Sequence, residues 1–446
     1  MKLSLRSLSF ALLSFMVCSC GKDNPQPQPE PEPEPTPAPV IYGKPDGKDV
    51  YIPREFKSMD FTSDQSEYCW KHSYATDDII IFWQKGFGDD LSKAKAYKGH
   101  KMTVDLERLA TQAQEFYDLY KNDLDFIRTG SKADRYRMMV MLQYDDDGTA
   151  YGGSYDDVIG ALWVTPLRTQ DTRLNAIAHE LGHSFQFQLS IDGNTGFGGG
   201  GIYEMTSQWM LWQANPNWID DEKYHWDAFL DQTHLAFLHP DNMYHSPFVL
   251  EGWAALHGVT FIADLWRAAK HQNNAVTVYK NFTGLDQGAF CDETFDIYRR
   301  LITFDFPRVK EICARYANQH KGKLNAKDAD GWRRINKAQE PQQYGYNGIK
   351  LTPLKAGQTA TLEFQGLSDH SAAGWRYGFV AVDKDGIAHY SEMGAEKEGT
   401  ISYTAGTDEK YLWLVVMGAP TAHQSLNDSQ ASSYRSYPYQ VRLTIQ

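Results

Sequence analysis

Residues 176–190, AIAHELGHSFQFQLS, carry His179-Glu180-Leu181-Gly182-His183 inside an apolar frame. Leu174, Ile177, Ala178, Leu181 and Phe185 recur at helical spacing, which predicts a helix over 172–189 with Asp171 placed to cap it. Side chains four apart on a helix differ by about 40° around the axis, so His179 and His183 project from one face a turn apart. Glu180 is offset by about 100°. That keeps it out of direct ligation but near enough to take a proton from a water activated by the metal. Two neutral imidazoles and an adjacent carboxylate base are what a zinc hydrolase needs, together with a third ligand and an open position for water.

Working outward, apolar runs predict strands at 78–83, 135–142 and 158–164, the last ended by Pro166, with a helix over 104–120. The motif helix therefore follows a strand. For the third ligand, Gln186 and Leu189 stand where a metzincin arrangement would need glycine and histidine, which excludes that class. The glycine run 198–201 leads into a helix with an early Glu204, a carboxylate that can face back to the histidines or simply favour the helix N-terminus. Glu251 is the second candidate ligand. Candidates to stabilise the oxyanion are Tyr244 and His245, with His234 and His239 behind them. Glu180 is the candidate general base.

The pattern His-Glu-Leu-Gly-His-Ser-Phe-Gln with a glutamate downstream is similar to that of enhancin-like, mucin-targeting gluzincin peptidases. The wider chain resembles an uncharacterised bacterial surface-lipoprotein family in the same clan. The resemblance rests on Ile81-Phe82-Trp83-Gln84-Lys85-Gly86, Gly160-Ala161-Leu162-Trp163-Val164-Thr165-Pro166, Ser207-Gln208-Trp209-Met210 and Gln343-Tyr344-Gly345-Tyr346-Asn347. It implies an α+β fold whose zincin-like domain combines a mixed sheet with helices. It also implies Zn2+ held by His179, His183 and Glu204, with Glu180 as base. In such folds the strand before the motif helix often forms the sheet edge along which substrate pairs, which makes 158–164 the candidate; an ordinary half-buried strand is the other reading.

Ahead of this body, Lys2 and Arg6 precede an apolar run over 8–17, too short to span a bilayer as a mature helix, so residues 1–20 read as an export signal. Val17-Cys18-Ser19-Cys20 resembles a lipobox, with Cys20 as the acylated residue; ordinary secretory cleavage nearby is the alternative. Residues 21–40 place proline at every second position from Pro25 to Pro39, an extended polyproline-type tether. The implied location is the outer membrane or cell surface of a Gram-negative bacterium, through the lipid on Cys20.

The chain has 446 residues with 42% hydrophobic and 23% charged, enough for two or three cores. A net charge of -13 and the lack of a long basic run argue against nucleic acid as partner. Beyond the signal only Cys69, Cys291 and Cys313 remain, so no disulfide scaffold is expected and any metal site must use histidines and carboxylates.

The zincin-like domain is expected over 41–348, helical from 248 to about 320. Period-two patterning in residues 349–446, with a turn at Lys384-Asp385-Gly386, predicts a C-terminal antiparallel β-sandwich that either binds glycan or only stabilises the body. Asp145-Asp146-Asp147-Gly148 and Asp328-Ala329-Asp330-Gly331 lack the remainder of a calcium loop and read as solvated turns.

Two functions fit. One is a surface-anchored zinc endopeptidase acting on protein or glycoprotein. The other is a non-catalytic glycan- or protein-binding lipoprotein with a peptidase-like fold.

Overall fold

The computed structural model describes residues 44–446, apart from Asn273 and Asn427. The expected signal, Cys20 and the tether over 21–40 lie outside the described residues. Among the described residues no single helix is long and apolar enough to cross a membrane.

A mixed sheet carries the motif helix. Its strands are β1 (Ser73–Ala75), β2 (Ile79–Trp83), β3 (Met138–Leu142), β4 (Ala150–Tyr155) and β5 (Ile159–Val164), in the order β1-β2-β3-β5-β4. β2, β3 and β5 run parallel, while β1 and β4 pair antiparallel at the two edges. Every residue of β2 and β3 is buried, so their sequences read as continuous apolar runs without alternation. Helix α1 (Leu106–Asp118), capped by the Asp105 carboxylate accepting from Arg108 N at 3.1 Å, packs on β2.

Helix α2 (Asn175–Gly193) lies across β4 and β5 and starts later than its periodicity suggests. The Asp171 carboxylate accepts from both Arg173 N and Asn175 N, each at 3.0 Å, and the turn this closes puts Leu174 at φ 51°. That left-handed residue delays the helix to Asn175. The polar residues on its buried face are satisfied by β5: Ser184 donates to Ala161 O at 2.8 Å, and the Gln188 amide oxygen accepts from Gly160 N at 2.9 Å.

Among the described residues α3 (Ile202–Ala214), α4 (Trp218–Asp221), α5 (Lys223–Gln232), α6 (Phe248–His257), α7 (Phe261–Ala268), α8 (Ala275–Thr283) and α9 (Gln287–Leu301) follow. Trp209, Trp212, Trp218, Trp226, Trp253 and Trp266 are fully buried among them. The helical run ends at Leu301, short of the expected 320, because Phe304 adopts φ 53° and Pro307 has no amide to donate. Glu251, the second candidate ligand, is buried in this layer and turned away from the histidines. It takes both nitrogen arms of Arg308 at 2.9 Å, with Trp209 Nε1 at 3.1 Å and Gln213 Nε2 at 2.9 Å. Its oxygens are already committed.

The remaining strands are β6 (Arg333–Arg334), β7 (Tyr346–Leu351), β8 (Thr359–Gly366), β9 (Trp375–Asp383), β10 (Ala388–Tyr390), β11 (Glu398–Thr404), β12 (Glu409–Gly418) and β13 (Tyr439–Ile445). They form two four-stranded antiparallel sheets, β10-β9-β12-β7 and β11-β8-β13-β6. β8 alternates buried and half-buried residues, and its Phe364 stacks on Tyr377 of β9 at 4.0 Å between ring centres in a shared core. β9 and β12 are buried on both faces because α9 covers the outer one. Cys69, Cys291 and Cys313 are buried thiols without a disulfide. The aspartates of the two acidic turns bind their own loops: Asp147 accepts from Thr149 N at 2.9 Å, and Asp328 from Trp332 N at 2.8 Å.

Candidate metal centre

On α2 the His179 and His183 rings stand 4.8 Å apart, nearly perpendicular. Glu204, in the first turn of α3, brings Oε2 to 3.2 Å from the Nε2 of each. A tetrahedral ion with bonds of about 2.0–2.1 Å holds its ligand atoms about 3.3 Å from one another. The two measured separations match that edge length. A set of two imidazoles and one carboxylate suits zinc or a similar borderline divalent cation. A Glu180 carboxylate oxygen lies within 4.8 Å of a ring nitrogen of each histidine, and Glu180 lines the adjoining cleft.

Glycines bring the parts together. A Cβ at Gly182 would sit 2.6 Å from Ser207 Oγ, and that hydroxyl donates to the His179 carbonyl, so α2 and α3 touch at the level of the site. The chain enters α3 through Gly199 at φ 145° and Gly200 at φ 93°, conformations that side-chain-bearing residues rarely adopt. This turn aims Glu204 back at α2. The helix-dipole role of Glu204 and its approach to the histidines are compatible, since both place the carboxylate in the first turn.

Gln186 orients His183. Its amide nitrogen donates to Tyr203 O at 3.0 Å, which turns its oxygen toward His183 Nδ1 at 3.1 Å. Gln186 thus favours a proton on Nδ1, which would leave Nε2 to offer its lone pair to an ion beside Glu204. Gln186→Leu removes this acceptor and is expected to weaken zinc binding by roughly 10- to 100-fold. Titration against a competing chromogenic chelator measures it.

The electrostatics fit a cation site. Burial pushes the His183 imidazole down, but Glu204 beside it more than offsets this and holds it above its ordinary value. Burial would raise Glu204, yet the two imidazoles hold it far below the usual carboxylate range, so it is anionic.

The centre opens on a cleft of about 210 Å³ whose walls include Ala150, Arg168, His179, Glu180, Tyr224 and Tyr244. The Tyr244 ring lies 6.3 Å from that of His179, tilted by 26°. Burial and the nearby Glu204 push its phenol up to about 12, which keeps it a hydrogen-bond donor at neutral pH. His245 stands one layer behind, its Nδ1 2.6 Å from Nδ1 of His225, and burial with His225 pushes it down to about 4. His225, on α5, lines the cleft together with His179. No periodicity in the sequence marks it. His234 and His239 do not line the cleft.

The free sheet edge next to the centre is β4, and β5 lies inside the sheet between β3 and β4. The expected edge role for 158–164 thus passes to residues 150–155. The Gly152-Gly153 pair in its middle has little strand propensity, which hides this strand in the sequence. Glycine is required there: a Cβ at Gly152 would stand 2.0 Å from Glu180 O and 2.7 Å from His183 Cβ.

No curated protein matches the chain. Among solved structures, the ZmpB metallopeptidase from Clostridium perfringens overlaps 64% of this chain and 61% of its own, with 15% identity and a TM-score of 0.30. The CBM22-1 xylan-binding domain from Paenibacillus barcinonensis Xyn10C overlaps 28% of this chain and 80% of its own, with 12% identity and a TM-score of 0.19. A family model extends over residues 43–445, taking in the mixed sheet, the metal-centre residues and both C-terminal sheets. By that match the chain belongs to the family of unknown function DUF6055.

Proposed function

We propose that this protein is a zinc-dependent endopeptidase that acts on proteins or glycoproteins at a bacterial cell surface. The observation that carries the reading is the equal 3.2 Å approach of Glu204 Oε2 to the Nε2 atoms of His179 and His183. In fold terms the reading is a zincin-like peptidase domain followed by a β-sandwich. His179, His183 and Glu204 would hold the ion. A bound zinc supplies Lewis acidity to a carbonyl oxygen and to water. Glu180 takes the proton of the attacking water at its carboxylate and returns it to the leaving amine. Tyr244 donates a hydrogen bond from its phenol to the oxygen that gains negative charge, while His245 fixes the orientation of His225. The unpaired main-chain groups of β4 align an extended substrate.

Export, a lipid on Cys20 and the tether over 21–40 belong to the same reading, placing the protein on the outer membrane or cell surface of a Gram-negative bacterium. A glycan-binding role for the C-terminal sheets would keep it near glycoprotein substrates. The test is purification followed by elemental analysis and incubation with mucin-type glycoproteins and with casein. Close to one zinc per chain and fragments that disappear with 1,10-phenanthroline are expected. A protein that takes up no zinc even when incubated with it rules the reading out. Labelling cells with a fatty acid should mark the wild type and spare Cys20→Ala.

A further inference from the structure

We propose that Arg168 turns the cleft beside the metal centre into a subsite for a carboxylate of the substrate. The inference rests on the peptidase reading only for naming the bound molecule a substrate. Arg168 lies in the turn after β5, between the mixed sheet and α2. Its Nε donates to Gly148 O at 2.7 Å, which anchors the guanidinium, and the residue lines the cleft. Among the described residues it has no ion-pair partner. Arg137 and Arg333 also lack a carboxylate partner among the described residues, but each spreads its guanidinium over two or more backbone carbonyls, whereas Arg168 makes one such bond and lines the cleft.

The other charges around the cleft do not compete. Glu222 also lines the cleft, but its oxygens already accept from Asn175 Nδ2 at 3.2 Å and Trp218 Nε1 at 2.7 Å, with His225 Nε2 at 3.5 Å. Glu180 stands at the metal end. Arg168 is thus the uncommitted cation of the wall, and its planar fork matches a carboxylate through two parallel hydrogen bonds. At about 210 Å³ the cleft is smaller than the roughly 300–1,000 Å³ of sites that engulf a whole small molecule. It suits one acidic side chain, or a chain terminus, next to the bond held at the metal centre. Exposed Tyr224, its ring centre 4.2 Å from that of His225 and tilted by 35°, provides an apolar wall along which the stem of such a group can lie.

Binding tests this without turnover. Full-length Glu180→Gln protein loaded with zinc is titrated calorimetrically with matched peptides: glutamate against glutamine at each position near the centre, both with amidated ends, and free against amidated C-termini. Charge-assisted hydrogen bonds at a partly exposed site predict a preference of roughly tenfold for the carboxylate member of one pair. The glutamate pair identifies a side-chain subsite, and the terminus pair an exopeptidase-like one. Adding Arg168→Gln should bring the preferred peptide down to the affinity of its amide partner, and Arg168→Lys should retain part of the preference.

Equal affinities in every pair, no measurable binding of any peptide, or a preference that survives Arg168→Gln each overturn the proposal. A zinc-loaded wild type that binds with the preference but cleaves nothing leaves the subsite standing and defeats the peptidase reading instead.

Discussion

Glu180→Gln keeps its zinc and loses hydrolysis by roughly 10²- to 10⁴-fold, the usual worth of a positioned general base. Glu180 follows His179 on α2, and its carboxylate lines the cleft with an oxygen within 4.8 Å of a ring nitrogen of each histidine, within reach of a water at the centre. Glutamine fills the same volume and donates hydrogen bonds but has no basic oxygen, so the ion stays while proton transfer fails. Mass spectrometry of fragments from a mucin-type glycoprotein and from casein compares the two proteins. Cleavage of the glycoprotein alone supports the enhancin-like resemblance, and cleavage of both indicates a general endopeptidase. Identical fragment patterns from wild type and variant would mean that the cutting comes from another enzyme, and the binding-protein reading would take over.

His183→Ala is expected to empty the site. The side chain is the most buried of the histidines at the centre, held from one side by Gln186 and facing Glu204 on the other. Its loss leaves one imidazole and one carboxylate, too few for a protein zinc site, so zinc content should fall from near one per chain to near zero and activity should fall with it. Thermal melting separates this from general damage. Wild type should melt at higher temperature as zinc is added, because a ligand that binds only the folded state stabilises it by mass action. His183→Ala should melt at one temperature whatever the zinc concentration. His245→Ala, one layer back, should keep the zinc response; a wild type whose melting ignores zinc would argue against the metal centre.

Much of this protein is local in origin and legible along the chain. The buried runs of β2, β3 and β5 announce strands because their residues are apolar without interruption. The alternation in β8 and β11 announces half-buried antiparallel strands. The pairing of His179 with His183 follows from helix geometry alone, and so does the offset of Glu180. What the sequence by itself determined was the helix that carries a two-histidine face with a base beside it, set between a parallel-strand region and a later β region.

Only the tertiary structure decided which distant groups join that helix. Glu204 and Glu251 are both early glutamates on helices, but the turn through Gly199 and Gly200 aims one at the histidines while Arg308 neutralises the other. β4 is the sheet edge although a Gly-Gly pair interrupts it, and Gly152 lets its backbone pass close to α2. Tyr244 reaches the cleft and its neighbour His245 does not, since the turn before α6 sends consecutive side chains to different layers. These choices depend on backbone approaches of a few ångströms between segments far apart in the chain. Such contacts leave no period in the sequence, because the residues that permit them are glycines and single polar side chains whose partners exist only once the chain is folded.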